Sequence, residues 1–314
     1  MAGNGQCGCE VVSGVVPIGG SQRRLDRAII ALPMIWLVLF AALPLVIALK
    51  ISVAEMRVGA PPYTDLFGIG PDGESSIQAT GRNFRMLAGD SLYWRSYASS
   101  VWIAAVSTLV ALLLGYPIAY AIARASARWR ATLLFLVMLP FWTSFLIRVY
   151  AWIGVLRPSG LLNEGLLWLG LIDAPLRLLN TELAVYIGMV SCYLPYMVLP
   201  LYARLERMDP ALLEAAADLG AGPVQSFVRV TLPLSAPGIL AGSLLVFIPA
   251  VGEFVIPELL GGADTLMIGR ILWNEFFSNR DWPLSAAVSV VLLVVLVVPI
   301  AIAQSALAGR KEAP

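Results

Sequence analysis

The sequence contains no histidine among its 314 residues. Imidazole is a frequent general base and metal ligand, so histidine-based catalysis and histidine-ligated metal sites are both excluded. Lysine is nearly absent, with Lys50 and Lys311 alone. Neither lysine lies in a GxxxxGK[ST] loop, the glycine-rich segment that cradles nucleotide phosphates. Any ATP that drives this protein must therefore be hydrolysed by another chain.

Charged residues are also scarce, at 13% of the chain against 59% hydrophobic residues, and the mean hydropathy is +0.82. A soluble domain has about a quarter charged residues, so this composition indicates a bilayer as the solvent. The net charge of +1 gives no reason to expect a nucleic-acid partner. Cys7, Cys9 and Cys192 supply neither a disulfide framework nor a zinc site.

Six apolar stretches are long enough to cross a membrane, which takes about 20 helical residues. They cover residues 28–49, 98–123, 131–150, 183–201, 238–260 and 284–307. Each must be helical, because lipid offers no partner to an unpaired backbone amide. The fold class predicted is therefore an all-α membrane protein with six transmembrane helices.

The domain organisation follows from these stretches. Residues 28–308 form the transmembrane domain, and the glycine-rich tail at 1–27 is expected to be disordered. The first stretch is too long for a secretory leader, so we interpret it as a retained helix. Residues 309–314 form a short second tail.

Arginines indicate the orientation. Arg124, Arg128 and Arg130 fill the acid-free turn between the second and third stretches, and other basic residues flank the first, fourth and sixth. By the positive-inside rule this side is the cytoplasm, so both termini are predicted to be cytoplasmic.

The predicted cytoplasmic loop at 209–233 reads DPALLEAAADLGAGPVQSFVRVTLP. Asp209 can cap a helix with Pro210 in its first turn, and Gly220 is a natural left-handed terminator. Pro223 can start a second short helix that Pro233 stops. Such a unit, with small alanines and the apolar anchors Leu212, Leu213, Leu219 and Phe227, suits docking to a partner surface. An interfacial amphipathic linker is the alternative.

The same loop resembles the EAA–G–I–LP signature of ABC-importer permeases. The matching residues are Glu214, Ala215, Ala216, Gly220, Val230, Leu232 and Pro233, with valine in place of the usual isoleucine. The resemblance implies a type I importer fold in which this loop forms coupling helices that dock onto an ATPase subunit.

Further segments resemble the permeases of bacterial polyamine importers, namely 140–156, 194–209 and 246–262. The segments 50–56, 61–66 and 267–283 are most similar to the putrescine-specific member. This resemblance implies an inner-membrane permease that works with a second permease, an ATPase dimer and a periplasmic polyamine-binding protein. No cofactor is expected in this chain, since ATP and Mg²⁺ would be bound by the ATPase.

A pathway for a polycation should present carboxylates and aromatic faces. The fifth stretch contains Glu253 and Glu258 beside Pro249 and Pro257, so it is expected to be kinked and to face protein or a cavity. Glu253 is the deeper acid and our first candidate for lining the pore. An ion pair with Arg148 of the third stretch is the alternative, although Arg148 can instead cap backbone carbonyls.

Aromatic candidates for the pathway are Trp142, Tyr150, Tyr193 and Tyr196. Tyr193 and Tyr196 are three residues apart and can share a helix face. Packing between helices is the alternative for each ring. At the level of function, a permease for another small cationic or amino-type solute stays open, as does a secondary transporter that uses Glu253 and Glu258.

Overall fold

The computed structural model describes residues 20–69, 75–77 and 79–309. The chain forms two compact units, residues 1–50 and residues 51–314. The described part of the first unit is helical and belongs to α1 (Gly20–Ser52), whose side chains from Ile29 onward are almost all exposed. Such exposure suits an apolar helix surrounded by lipid. The helix begins at Gly20 rather than at residue 28, so residues 20–27 of the predicted disordered tail (1–27) are helical, and its residues 1–19 lie outside the described part of the chain.

Three long helices form the core of the second unit and pack against one another pairwise. They are α3 (Ser91–Arg124), α7 (Glu182–Glu206) and α10 (Leu232–Val251). Fully buried side chains such as Ile103, Met197 and Val246 fill the space between them. Helices in lipid associate through close packing, which small residues at the contact allow. Gly242 of α10 is such a residue, because a Cβ there would lie 3.0 Å from the Met197 carbonyl oxygen.

The third predicted stretch is not one helix, so the prediction for 131–150 was wrong. The chain passes through α4 (Ala127–Met138), a 3-10 turn (Leu139–Trp142), α5 (Phe145–Leu156) and α6 (Leu161–Trp168). Pro140 in the turn has no amide to continue the helix, and Thr143 is extended. The apolar segment of this region that is long enough to span runs over Phe145–Trp168 instead.

The fifth predicted stretch is broken rather than merely kinked. After α10 ends at Val251, the chain leaves the helical path and resumes as α11 (Val255–Leu260). It continues through α12 (Ile268–Trp273) and a π-helical turn (Asn274–Ser278) into α13 (Trp282–Gly309). The break leaves backbone amides at the start of α11 without helical partners, and a side chain of the site described below accepts from them.

A small hairpin lies in the loop that follows α1, where the sequence predicted no strand. Strands β1 (Phe67–Ile69) and β2 (Ser75–Ile77) pair antiparallel. The short helix α2 (Arg82–Gly89) comes next. It is anchored by Asn83, whose amide donates 2.9 Å hydrogen bonds to the carbonyls of Ser52 and Ala54.

Within the described residues, five helical segments are long and apolar enough to cross a membrane. They are Ile29–Ser52, Ser91–Arg124, Phe145–Trp168, Glu182–Glu206 and Pro223–Val251. The sixth predicted stretch corresponds to α13, which is apolar over Trp282–Val298. The predicted all-α membrane fold is therefore confirmed, with the third and fifth spans built differently from the prediction.

Candidate functional site

The loop after α7 folds into a short helix closed by a left-handed glycine. The Asp209 carboxylate accepts a 2.9 Å hydrogen bond from the Ala211 amide, and α8 runs from Ala211 to Asp218. Gly220 ends this helix with φ of +83°, a backbone conformation that an L-residue rarely adopts. The helix α9 (Pro223–Ser226) begins at a proline, whose fixed φ suits a first turn. The local predictions for this half of the loop are confirmed.

The second half of the loop differs from the prediction. Pro233 does not stop a helix, since α9 passes through a π-helical turn (Phe227–Thr231) into α10. Pro233 occupies the first turn of α10, where a missing amide donor is tolerated. The loop is therefore one free-standing helix, α8, followed by a segment continuous with a membrane span.

The apolar residues of this loop fall into two groups. Leu219 is 89% exposed, Val224 is 75% exposed, and Leu212 and Val228 are also exposed. Phe227 instead packs edge-on against Tyr116 of α3, with ring centroids 5.4 Å apart. Phe227 thus holds the loop on the helix bundle, and the exposed group lies on the surface.

The seven residues of the signature are spread over these elements. Glu214, Ala215 and Ala216 lie in α8, Gly220 follows it, Val230 lies in the π-helical turn, and Leu232 and Pro233 begin α10. Among them, Glu214, Ala215, Gly220, Leu232 and Pro233 are exposed and Ala216 and Val230 are half-buried. The helical part of the signature therefore projects from the bundle.

Arg130 joins the start of α4 to the end of α7, just before the loop. Its Nη1 lies 2.9 Å from Glu206 Oε1, and its Nη2 donates to the carbonyls of Ala123 and Ala125. Arg130 therefore links the Arg124–Arg130 turn to the end of α7, the point from which the loop at 209–233 starts; we call this point the root of the loop.

A cavity of about 470 Å³ lies where α5, α7 and the break after α10 meet. Its lining combines one acid, one base and several aromatic rings. The residues are Phe141, Thr143, Phe145, Arg148, Cys192, Tyr193, Tyr196, Pro249 and Glu253. The structure thus brings together three of the pathway candidates from the sequence, Glu253, Tyr193 and Tyr196.

Glu253 is 8% exposed and lies in the break between α10 and α11. Its Oε1 accepts from the amides of Phe254 at 3.1 Å and Val255 at 2.9 Å, so it caps the start of α11. Its other oxygen, Oε2, accepts from the Tyr193 hydroxyl. All these donors are uncharged, and among the described residues Glu253 takes part in no ion pair.

Arg148 does not pair with Glu253, although both line the cavity, so the ion-pair alternative was wrong. Its guanidinium donates to the carbonyls of Thr143 at 3.3 Å and Cys192 at 3.5 Å. The Arg148 Nε is buried and has no hydrogen-bond partner within the described part of the chain. Arg148 therefore caps carbonyls at the 3-10 break and in the proline-containing helix α7, as the sequence allowed.

Glu258 has a different role from Glu253. It is exposed and its Oε2 lies 2.6 Å from Nε of Arg270 in α12. It does not line the cavity, and its assignment to the pathway stays a prediction. This ion pair could not be predicted from the sequence, because it depends on the tertiary fold that brings α12 with Arg270 beside α11 with Glu258.

The remaining aromatic candidates lie away from the cavity. Trp142 is 80% exposed and contacts Phe135, and Tyr150 is 57% exposed. Tyr193 and Tyr196 do share a face, with ring centroids 6.0 Å apart. Sequence reasoning missed Phe141, which stacks edge-on against Tyr196 at 4.8 Å. Pro140 could have indicated this residue, because a proline interrupts the helix there and Phe141 directly follows it in the 3-10 turn that borders the cavity.

Metal chemistry finds no support in the described part of the chain, which has no group of three metal-ligating side chains. Cys192 is buried and free.

Residues 111–310, more than half of the chain, match the family of binding-protein-dependent transport system inner membrane components. The chain belongs to this family. It is a multi-pass inner-membrane permease subunit and a transport component rather than an enzyme, like its relatives.

Two curated relatives of this permease carry the name spermidine/putrescine transport system permease protein PotB. The Haemophilus influenzae protein is 40% identical over 275 residues, covering 88% of this chain and 91% of the relative. The Escherichia coli K12 protein is 48% identical over 207 residues, covering 66% and 75% respectively. The chain is thus similar over most of its length to ABC-importer permeases.

Among solved structures, the permease is similar to a bacterial ABC transporter involved in the import of the acidic polysaccharide alginate. The TM-score is 0.67 at 18% identity, with 94% of this chain and 98% of that chain covered. At this identity the likeness establishes the fold, which is that of ABC importer permeases.

Proposed function

We propose that this permease carries polyamines, with putrescine favoured, from the periplasm to the cytoplasm in an ATP-driven importer. The observation on which we rest the proposal is Glu253, a buried carboxylate that forms no ion pair among the described residues and lines a cavity with aromatic walls, which Arg148 lines as well. An ammonium group binds such a site through the carboxylate and through the faces of neighbouring rings. The similarity to two PotB proteins supports the same cargo.

The energy source in this proposal is a separate ATPase docked on α8. Exposed apolar side chains are its contact surface, notably Leu219 and Leu212. Glu214 and Asp218 offer charge to basic residues of the partner, and both are exposed. ATP and Mg²⁺ bind to that subunit. A protein that binds and moves α8 also moves the root of the loop. This movement reaches the membrane helices through Arg130, which pairs with Glu206 at the end of α7, and through Phe227, which packs on Tyr116 of α3.

The other proposed partners are a second permease subunit and a periplasmic polyamine-binding protein. The single docking loop of this chain supports the second permease, because an ATPase dimer needs two. Both termini and α8 lie on the cytoplasmic side in this arrangement, supported by the arginines at 124–130. The connections around α2 and α12 then face the periplasm and the binding protein.

The preference for putrescine over spermidine rests on the resemblance of the segments 50–56, 61–66 and 267–283. Uptake of either labelled polyamine in competition with the other measures it directly. Equal or stronger uptake of spermidine would contradict the preference while leaving the polyamine assignment intact. Uptake of another amino-type solute, with no polyamine uptake, would contradict both.

The experiment that tests the cavity is Glu253→Gln in the complete transporter reconstituted into proteoliposomes. Glutamine keeps the oxygen that caps α11 and removes the charge. A hydrogen bond to a charged partner is worth about 1.5–3 kcal/mol, so we expect uptake at low putrescine concentration to fall about 10- to 100-fold.

Glu258→Gln is the matched control, since it removes an acid that is paired with Arg270 and lies outside the cavity. We expect its uptake to stay within about fivefold of wild type, because an exposed ion pair contributes under about 1 kcal/mol. If Glu253→Gln lowers the amount of assembled complex but not the uptake per complex, Glu253 has only a structural role.

A further inference from the structure

Six aromatic side chains form an unbroken series of ring contacts that starts next to Glu253. We call it the aromatic row. Its members in order of contact are Phe254, Trp273, Phe277, Phe276, Trp282 and Tyr63. Adjacent ring centroids are 4.1–6.2 Å apart. The row therefore connects the residue after the cavity acid to the loop that follows α1.

The row is not part of the hydrophobic core. Among the described residues, none of its six rings belongs to either cluster of buried apolar side chains or to the layer packed on them. Trp273 is 39% exposed and Phe277 is 55% exposed. These two rings are neighbours in the row, and both remain partly accessible although Trp273 also stacks on Phe254.

Local backbone geometry creates this arrangement. The π-helical turn Asn274–Ser278 follows directly after Trp273, and Asn279 donates its amide to the Asn274 carbonyl at 2.9 Å. A π turn inserts one residue into a helix, and such turns are frequent at functional sites. In this turn Phe276 and Phe277 stand edge to face at 4.9 Å, so that Phe276 stacks on Trp282 while Phe277 reaches Trp273.

The charges beside the row are mainly negative. Glu275 lies within the π turn, and its carboxylate accepts from the Tyr93 hydroxyl at 3.3 Å and from the Asn279 amide at 2.9 Å. It forms no ion pair within the described ranges. Asp281 follows closely and caps the start of α13 through the Leu284 amide. The exposed Arg280 is the opposing charge, since Arg270 is neutralised by Glu258.

We propose that the aromatic row binds the alkylammonium chain of the cargo on its way to Glu253. Ring faces attract ammonium groups, their edges and the methylene chain pack together, and nearby carboxylates add attraction without a fixed counter-ion. The series of rings at short spacing lets a flexible polycation move from one face to the next without full hydration in between. Phe254, which stacks on Trp273 at 4.3 Å, is the last ring before the cavity acid. This inference rests on the proposed polyamine transport.

The decisive experiment replaces Phe277 with phenylalanines that carry one, two or three ring fluorines, in the complete transporter in proteoliposomes. Each fluorine withdraws electrons from the ring face and leaves the shape almost unchanged. One cation–π contact is worth about 0.5–2 kcal/mol, so we expect putrescine uptake below half-saturation to decline stepwise, by about fivefold in total. The same series at Phe40, which is 58% exposed in α1, is the matched control and should be flat.

A second pair of variants separates a ring from mere bulk. Trp273→Phe keeps a ring at the centre of the row and should retain most of the uptake, whereas Trp273→Leu should lose about as much as full fluorination. Trp168→Leu, at an 85% exposed position outside the row, controls for loss of a surface tryptophan. Assembly of each complex is checked by gel filtration.

The outcomes are distinct. If wild type takes up no polyamine, the proposed function fails and this inference fails with it. If wild type takes up putrescine and the fluorine series at Phe277 is flat, the row does not bind cations and the proposed function stands. A flat series combined with loss of uptake in Trp273→Leu makes the row a packing surface, which also overturns the inference.

Discussion

Gly220 and Gly222 provide a matched pair for testing the docking loop. Both lie in the exposed connection between α8 and α9, and a Cβ at either position would meet nothing within 4 Å. They differ in backbone conformation, since Gly220 has φ of +83° and Gly222 has φ of −68°. Alanine at the two positions therefore differs in conformational strain and not in steric contact.

The size of the strain can be worked out from these angles. An L-residue in the left-handed region costs about 1–2 kcal/mol, whereas alanine at φ near −68° costs nothing of this kind. Gly220→Ala should thus reduce the population of the native turn about 5- to 30-fold relative to its alternatives. The α8 helix would lose its fixed direction while the membrane helices stay folded.

The assay is substrate-stimulated ATP hydrolysis by the reconstituted complex, together with uptake per ATP. We expect Gly220→Ala to lower both and Gly222→Ala to match wild type. Gly220→Asn should be intermediate, since asparagine tolerates the left-handed conformation better than alanine. If Gly220→Ala and Gly222→Ala behave alike, the direction of α8 does not control coupling and the docking proposal is wrong.

Two further predictions concern the helix bundle. Gly242→Ala would place a Cβ 2.9 Å from Sδ and 3.0 Å from the carbonyl oxygen of Met197. We expect it to lower the Tm of the purified permease through overpacking of about 1–3 kcal/mol; Gly154→Ala, with open space around it, should not. Tyr193→Phe removes the hydroxyl that donates to Glu253. The effects of Tyr193→Phe and Glu253→Gln on Tm should therefore be non-additive in a double-mutant cycle. Additive effects would show that this hydrogen bond contributes nothing to stability.

The sequence predicted well those features that local chemistry determines. Apolar length located the first, second, fourth and sixth spans but not the breaks in the third and fifth, and Asp209, Gly220 and Pro223 each specified one step of the loop after α7. The prediction that Pro233 stops a helix was wrong because proline is compatible with two positions. It can follow the end of one helix, and it can occupy the first turn of the next, as it does in α10. Which position Pro233 takes depends on the π-helical turn Phe227–Thr231 before it, and no local sequence pattern predicts that turn.

Pairings between distant segments could not be predicted from sequence. Arg148 was the candidate partner for Glu253 because it is the basic residue within a predicted span, yet it caps carbonyls at a break that Pro140 creates. Arg270 was unassigned and turned out to neutralise Glu258. In both cases the position of a helix break determines which groups the charged side chain contacts. Positions along an assumed straight helix therefore did not predict these contacts.

In the proposed function Glu253 is both a structural residue and a cation site, and the break after α10 allows both roles. Its Oε1 holds backbone amides of α11, which are fixed in place, while Oε2 is held by a single side-chain hydroxyl. A hydroxyl can rotate away and an arginine in a buried pair cannot leave without a large penalty. In the proposed function, an arriving ammonium group competes with Tyr193 for one oxygen, and the cap on the other oxygen keeps the helix break intact. A permanent ion pair with Arg148 would have satisfied the carboxylate and closed the site to the cargo.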